Sequence, residues 1–208
     1  MLWLTFLAAQ VAAPTPDLSR LWFKADDVPQ DLRDGPTGIW WVPIRITVGL
    51  DGKIRSCAVE ATSKVAVLDN LTCKIVLRRA RFSPARIGQA PAVGVYRTSI
   101  DWVVSDAPFD TSKLSNPDID LSVQRLPARL QSPTLVRVMF SVDPDGRIDS
   151  CSAEEGKAIE KVDNDPALIP IACDQVMKTY RATPAIEGGV AVKSVQDAAV
   201  RFTVIEPK

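Results

Sequence analysis

The sequence predicts an α+β fold made of two tandem ββαβ domains, each a small antiparallel sheet packed by one helix. Three observations support this prediction. They are an internal repeat, apolar residues at every second position before an Asp-Gly pair, and a helical apolar stripe further along each repeat. The order of the strands within each sheet does not follow from these patterns.

The internal repeat spans nearly the whole chain. Residues 48–57, VGLDGKIRSC, align with residues 142–151, VDPDGRIDSC, at an offset of 94 residues. The offset rises to 100 further on, where Trp102 aligns with Phe202, so copy two has a six-residue insertion between its cysteines. Because each copy is a complete unit, we expect a fragment of residues 21–106 to fold alone. The predicted organisation is a first domain at 21–105, a polar linker at 106–119 and a second domain at 120–206.

Two strands joined by a tight turn begin each copy. Apolar side chains take every second position from 42 to 48 and from 136 to 142, which is typical of a strand with one buried face. The pairs Asp51-Gly52 and Asp145-Gly146 follow, and both residue types tolerate the positive φ of a hairpin turn. The chain therefore returns in second strands, expected at 54–59 and 148–153.

A helix and a third strand complete each copy. Apolar residues recur on one helical stripe from 68 to 80, and copy two repeats this stripe. Both helices are expected to end before a proline, Pro84 or Pro184. By the alternation of the strands, we expect Trp102 in the core and Trp41 at the surface. The third strands are predicted at 96–104 and 192–204.

The composition excludes several classes of protein. The chain has 208 residues, 46% of them hydrophobic, and its 25 basic and 25 acidic residues cancel, so no basic excess favours nucleic acid. It has no histidine, which removes the usual general base and the commonest metal ligand. We therefore expect no enzyme activity, metal or cofactor. Carboxylate chemistry by Asp51, Asp101 or Asp145 is the alternative, although Asp51 and Asp145 are better explained as turn formers.

The four cysteines occupy equivalent places in the two copies. In each copy one cysteine ends the second strand and the other begins the helix. This placement predicts two disulfides within the copies, Cys57 with Cys73 and Cys151 with Cys173, and hence an exported protein. The alternatives are buried free thiols in a cytoplasmic protein and, less well supported, a catalytic redox pair.

The N-terminal segment has the pattern of a secretory signal. Residues 2–13 form an apolar run that ends in small residues and is too short to cross a bilayer, which needs about 20 residues. We predict a signal peptide at 1–13, cleaved after Ala12 or Ala13. If it is not cleaved, the protein is associated with the inner membrane. The alternative is a buried N-terminal strand or helix.

The order of these motifs resembles the C-terminal domain of the TonB energy transducer. The shared features are an Asp-Pro-Asp-Gly turn at 143–146, an Arg-rich helix end at 78–82, and Pro84-Ala85 before a Gly88-containing loop. The resemblance covers residues 22–104 and 120–204, and the cysteine pairs resemble a disulfide-bearing branch of that family.

The resemblance implies a periplasmic domain that binds outer-membrane transporters. In that family an extended N-terminal segment of the transporter, the TonB box, is added as a strand to an exposed sheet edge. The membrane anchor and the Pro/Lys/Glu-rich spacer of the transducer are missing here, so we expect a binding module that does not transmit force. The expected partner is an outer-membrane TonB-dependent receptor or another envelope protein, and no nucleic acid.

The resemblance places peptide binding at the edge of the third strand of copy one, around residues 93–103. The candidate residues are those of this strand whose side chains point away from the core, together with arginines at the basic end of the helix. Alternatively, the arginines form a solvated face that complements the helix dipole. A second function class is a structural envelope scaffold whose edges pair between the copies or in a homodimer, with no transporter ligand. The predicted peptide-binding residues are Val95, Arg97, Ser99, Asp101, Arg79 and Arg81.

Overall fold

The computed structural model describes residues 10–35, 37–104, 117–153 and 164–205. Copy one begins with four short elements: β1 (Val11–Ala12), β2 (Thr15–Pro16), a single 3-10 turn (Ala25–Asp27) and α1 (Gln30–Arg33). Its larger elements are β3 (Gly38–Val48), β4 (Ile54–Val59), α2 (Ala66–Arg79), β5 (Phe82–Ser83), β6 (Ala85–Ile87) and β7 (Ala90–Val104). Copy two contains β8 (Ile119–Val123), β9 (Thr134–Val142), β10 (Ile148–Ala153), α3 (Ile169–Thr179), β11 (Ala185–Glu187), β12 (Val190–Val192) and β13 (Ser194–Val204).

In each copy the first long strand lies in the middle of three antiparallel strands. The order is β4, β3, β7 in copy one and β10, β9, β13 in copy two. The helix packs on the face that the strand alternation predicts, because the apolar residues at every second position meet its buried side. Trp102 is 4% exposed in the core of copy one, whereas Trp41 is 46% exposed, as predicted.

The prediction of two separate ββαβ domains is wrong. The protein is mostly β, and within the described residues nine strands of both copies form one mixed sheet. The copies join where two residues near the start of β7 pair in parallel with the first two residues of β13, Val93 beside Ser194 and Gly94 beside Val195. Because a strand edge carries unpaired N–H and C=O groups, pairing two edges satisfies them within one sheet.

The helices α2 and α3 lie on opposite faces of this sheet. Even-numbered residues such as Trp102 and Phe202 point to the helix of their own copy. In the parallel pairing, however, Gly94 lies beside Val195, so an even position of β7 shares a face with an odd position of β13. Each copy therefore has one face covered by its own helix and a second face available to the other copy.

Two apolar clusters fill the contact between the copies. The first contains Val11, Ala85, Ala92, Met139 and Val195. The second contains Val93, Val95, Ala185 and the partly buried Val192. The first cluster joins Ala85 with Val195 and the second joins Ala185 with Val95, positions related by the repeat offset of 100, so the contact is approximately twofold symmetric. Each copy thus keeps a core of its own under its helix, and apolar residues of the second faces are buried between the copies.

The N-terminal residues that the structure describes belong to this contact. The strand β1 pairs with β6, and Val11 is 2% exposed. A Cβ added to Gly94 would lie 2.6 Å from Pro14 Cγ, so the chain after β1 passes directly over β7. Residues 1–9 of the predicted signal peptide lie outside the described residues, but cleavage after Ala12 or Ala13 would remove β1.

Both predicted disulfides are confirmed. Cys57 bonds Cys73 and Cys151 bonds Cys173, with Cα atoms 5.5 and 5.6 Å apart. Such bonds persist in an oxidising compartment, as expected of an exported protein. None of the helices in the described ranges has the length and apolar character that a membrane crossing requires.

Candidate strand-addition site

A groove lies along the outer edge of β7, the edge that faces away from β3. It is lined by Phe23, Lys24, Val28, Ser99, Ile100, Asp101 and Trp102 and has a volume of about 380 Å³. One wall is thus β7 itself, and the other is the segment around the 3-10 turn at Ala25–Asp27. We call this feature the edge groove.

The backbone of β7 directs polar groups into the edge groove at alternate residues. The Glu60 N–H donates to the Pro43 carbonyl at 2.9 Å, so the Pro43 carbonyl faces β4. Since backbone groups alternate in direction along a strand, those of Ile44 face β7, where Ile44 opposes Thr98. The groups of Thr98 are therefore bonded to β3, and those of Ser99 point outward. The residues with outward N–H and C=O groups are Arg97, Ser99, Asp101 and Val103.

The equivalent edge in copy two is occupied by the chain itself. The strand β8 pairs with the outer edge of β13 in parallel. The Ile205 N–H donates to the Val123 carbonyl at 2.9 Å, whereas the Val204 N–H faces the other way and donates to Ser132 Oγ at 2.9 Å. The odd-numbered residues of β13 therefore pair with the added strand, and their counterparts in β7 are the outward residues of the edge groove.

The added strand β8 also covers the core of copy two. Its alternating residues Ile119, Leu121 and Val123 pack against the apolar cluster under α3. Asp120 and Ser122 take the opposite face of the strand. An extended segment at this edge is thus held by backbone hydrogen bonds and by apolar side chains at every second position.

Copy one has no such strand within the described residues. Phe23 reaches the same region, and its ring lies edge-on to Trp102 with centroids 5.3 Å apart. The backbone around Phe23 is not paired with β7, because the chain enters the 3-10 turn at Ala25–Asp27 instead. The edge groove is the space left between this segment and the strand.

The second wall of the edge groove is held by an ion pair. Arg79 donates to both carboxylate oxygens of Asp27, at 2.5 and 2.9 Å, and to the Trp22 carbonyl at 3.0 Å. The hydrogen bond from Arg79 is the main cause that lowers the pKa of the Asp27 carboxyl below its ordinary value of 3.8. Arg79, predicted to bind peptide, thus positions the wall of the groove through Asp27.

The Asp27→Asn substitution tests this anchoring. We expect it to lower the free energy of unfolding at pH 7 by about 1–3 kcal/mol, as for other hydrogen bonds to charged groups. Because the folded pKa is lowered, the carboxylate stabilises the fold above pH 3.8 and this contribution is lost as the pH falls through the folded pKa. Urea denaturation at pH 7 and pH 2.5 measures the free energy of unfolding and its loss at low pH. The Asp26→Asn substitution, at an exposed neighbour, is the control. If the Asp27→Asn and Asp26→Asn variants differ in free energy of unfolding by the same amount at both pH values, the pairing is contradicted.

Of the other predicted peptide-binding residues, two line the edge groove and three have other contacts. Ser99 and Asp101 line the edge groove. Val95 is 1% exposed because copy two covers it, so its side chain is not accessible to a ligand. Arg97 is paired with Asp118 and with Glu60, the latter at 3.2 Å, and so joins the copies. Arg81 donates to carbonyls of its own helix end, including that of Ala80 at 2.7 Å.

No protein-family model, curated protein or solved structure matches this chain. In the described part of the chain, histidine, cysteine and acidic side chains do not come together in any group of three or more that could hold a metal ion.

The second wall of the edge groove was not expected from the sequence. Phe23 and Lys24 lie in no motif of the repeat, and Val28 aligns only loosely with Leu126, at an offset of 98 residues. A signal was nevertheless present in copy two, where residues 119–123, IDLSV, alternate apolar and polar side chains. That alternation indicates a further strand in copy two, but the edge that it joins is shown only by the structure.

Proposed function

We propose that this chain is an envelope binding module that takes up an extended peptide segment as an added strand on β7. The supporting observation is β8, which occupies the equivalent edge of copy two in parallel orientation. The edge of β7 offers the same alternate backbone groups, and the described residues leave the edge groove beside it open. Strand addition supplies affinity through main-chain hydrogen bonds and selectivity through alternate side chains.

The cellular role we propose is association with outer-membrane transport in the periplasm. The resemblance to the TonB C-terminal domain names the partner, an outer-membrane TonB-dependent receptor whose extended N-terminal segment enters the edge groove. The two disulfides are compatible with this compartment. Binding alone is proposed, because the chain has no histidine to act as the usual general base.

A proline scan along β7 tests strand addition. We expect Ser99→Pro to weaken binding of a TonB-box-like peptide at least about tenfold, because proline removes the outward N–H that the added strand needs. Thr98→Pro removes a hydrogen bond to β3 and is expected to destabilise the fold instead. Ser99→Ala keeps the backbone donor and is expected to bind like the wild type. Titration calorimetry on the full chain measures the affinities, and thermal melting checks that each variant is folded.

Two results would contradict this mechanism. One is a folded Ser99→Pro variant that binds the peptide as tightly as the Ser99→Ala variant does. The other is a wild-type protein that binds no such peptide.

A structural envelope scaffold is the second candidate function. The observation that favours it is the parallel pairing of β7 with β13, since strand edges of this chain already join one copy to another. A scaffold of this kind would form a homodimer through the free edge of β7. Analytical ultracentrifugation separates the candidates, because the scaffold predicts a concentration-dependent dimer that Ser99→Pro disrupts and no peptide binding.

A further inference from the structure

The strand β8 of copy two carries a cross-strand charge pair at its surface, in addition to its backbone hydrogen bonds and apolar contacts. Asp120 of β8 lies directly beside Arg201 of β13 in the parallel register. Arg201 Nε and Nη2 donate to the two carboxylate oxygens at 2.6 and 3.0 Å. Opposite charges on neighbouring strands favour the pairing, and like charges disfavour it. The pair thus adds a charge preference at position 201 to a register that backbone pairing and apolar packing already hold.

In copy one the corresponding position carries the opposite charge. At the repeat offset of 100, Arg201 corresponds to Asp101, which also has outward backbone groups and lines the edge groove. Within the described residues Asp101 forms no ion pair, and its hydrogen-bond partner is Ser99 Oγ at 3.4 Å. Its neighbour on β3 is Trp41, which carries no charge. The carboxylate is therefore not neutralised by its own sheet.

We propose that the edge groove selects a parallel peptide strand with a lysine or arginine opposite Asp101, flanked by apolar residues on both sides. This inference rests on the proposed function. The basic residue would take the place that Asp120 has beside Arg201, with the charges exchanged. The flanking apolar residues would meet Phe23, Ile100 and Trp102, as Ile119 and Leu121 meet the core of copy two.

The surroundings of Asp101 support this selection. Burial raises the pKa of the Asp101 carboxyl, and the hydrogen bond from Ser99 opposes the change only in part. A cation on the added strand would stabilise the carboxylate that burial disfavours. Lys24 lies on the opposite wall of the groove and is the competing charge, because it would favour an acidic strand.

The test uses two peptides based on the sequence of β8. The first is residues 119–124, IDLSVQ, with blocked ends, and the second is IKLSVQ, in which lysine replaces Asp120. We expect the full-length wild type to bind IKLSVQ about tenfold more tightly than IDLSVQ. The reason is that Asp101 attracts the lysine of IKLSVQ and repels the aspartate of IDLSVQ across the strands. Asp101→Asn should abolish this preference, and Asp101→Arg should reverse it. Titration calorimetry gives the affinities, and hydrogen exchange at Val103 reports that the peptide lies on β7.

The outcomes separate the inference from the proposed function. Equal binding of both peptides, with protection at Val103, would leave strand addition standing and overturn the charge selection. A preference for IDLSVQ that Lys24→Ala removes would assign the selection to Lys24 and would also overturn it. If neither peptide binds the wild type or the Asp101→Arg variant, strand addition and the inference built on it both fail.

Discussion

A fragment of residues 21–106 is expected to show no cooperative thermal transition. The repeat by itself predicts the opposite, because it makes each copy look complete. In the folded chain, however, Val93 and Val95 are covered by Ala185 of copy two. Exposing two buried valines costs about 3–6 kcal/mol, which approaches the whole stability of a typical domain, about 5–15 kcal/mol. The fragment also lacks β1, which pairs with β6 in the intact chain.

Circular dichroism in oxidising buffer measures this result, with the full chain as the control. Adding a second fragment, residues 107–208, should restore a cooperative transition if the shared clusters are the cause. A fragment 21–106 that melts alone, near the melting temperature of the full chain, would contradict the shared core.

Loss of the disulfides is the second change with a large expected effect. The bonds close loops of sequence separation 16 and 22. Closing a loop of this size stabilises a fold by about 3 kcal/mol, chiefly by restricting the unfolded chain. Replacing Cys57 and Cys73 by serine should therefore lower the Tm by about 6–12 °C, at about 2–4 °C per kcal/mol for a chain of this size. Replacing all four cysteines should remove about 6 kcal/mol, enough to unfold a protein at the low end of the usual stability of about 5–15 kcal/mol.

Thermal melting of the two double variants and the quadruple variant tests these values. Non-reducing peptide mapping of the wild type is the control and should find both links and no free thiol. A link between the copies, or a double variant that melts like the wild type, would contradict the expected result.

The local elements of this fold were predictable because their causes are local. The alternation of residues 136–142 and the turn at Asp145-Gly146 involve neighbours in the chain. Gly52 shows why a single residue type is informative: its φ is 75°, and a Cβ there would lie 2.3 Å from the Phe82 carbonyl oxygen. Only glycine avoids both penalties. The disulfides followed from the same local logic, since each joins a strand to the next helix.

The candidate site was predictable in part. The parity of the third strand placed Ser99 and Asp101 at its outer edge, where the structure has the edge groove. The same alternation predicted an accessible Val95, but this residue is buried. Alternation assigns residues to the two faces of a strand and does not show what covers the face away from the helix. Arg79 and Arg97 were predicted to bind peptide, but they pair with Asp27 and Asp118, which lie 52 and 21 residues away in sequence.

The sequence by itself determined the repeat, the strands and helices of each copy, and the pairing of the cysteines. Only the tertiary structure decided that the copies share one sheet and that β8 fills the edge that copy one leaves open. The physical reason is that edge pairing uses backbone N–H and C=O groups, which nearly every residue carries. Side-chain patterns can therefore show that a segment is a strand, but the partner of its free edge depends on which parts of the chain the fold brings together.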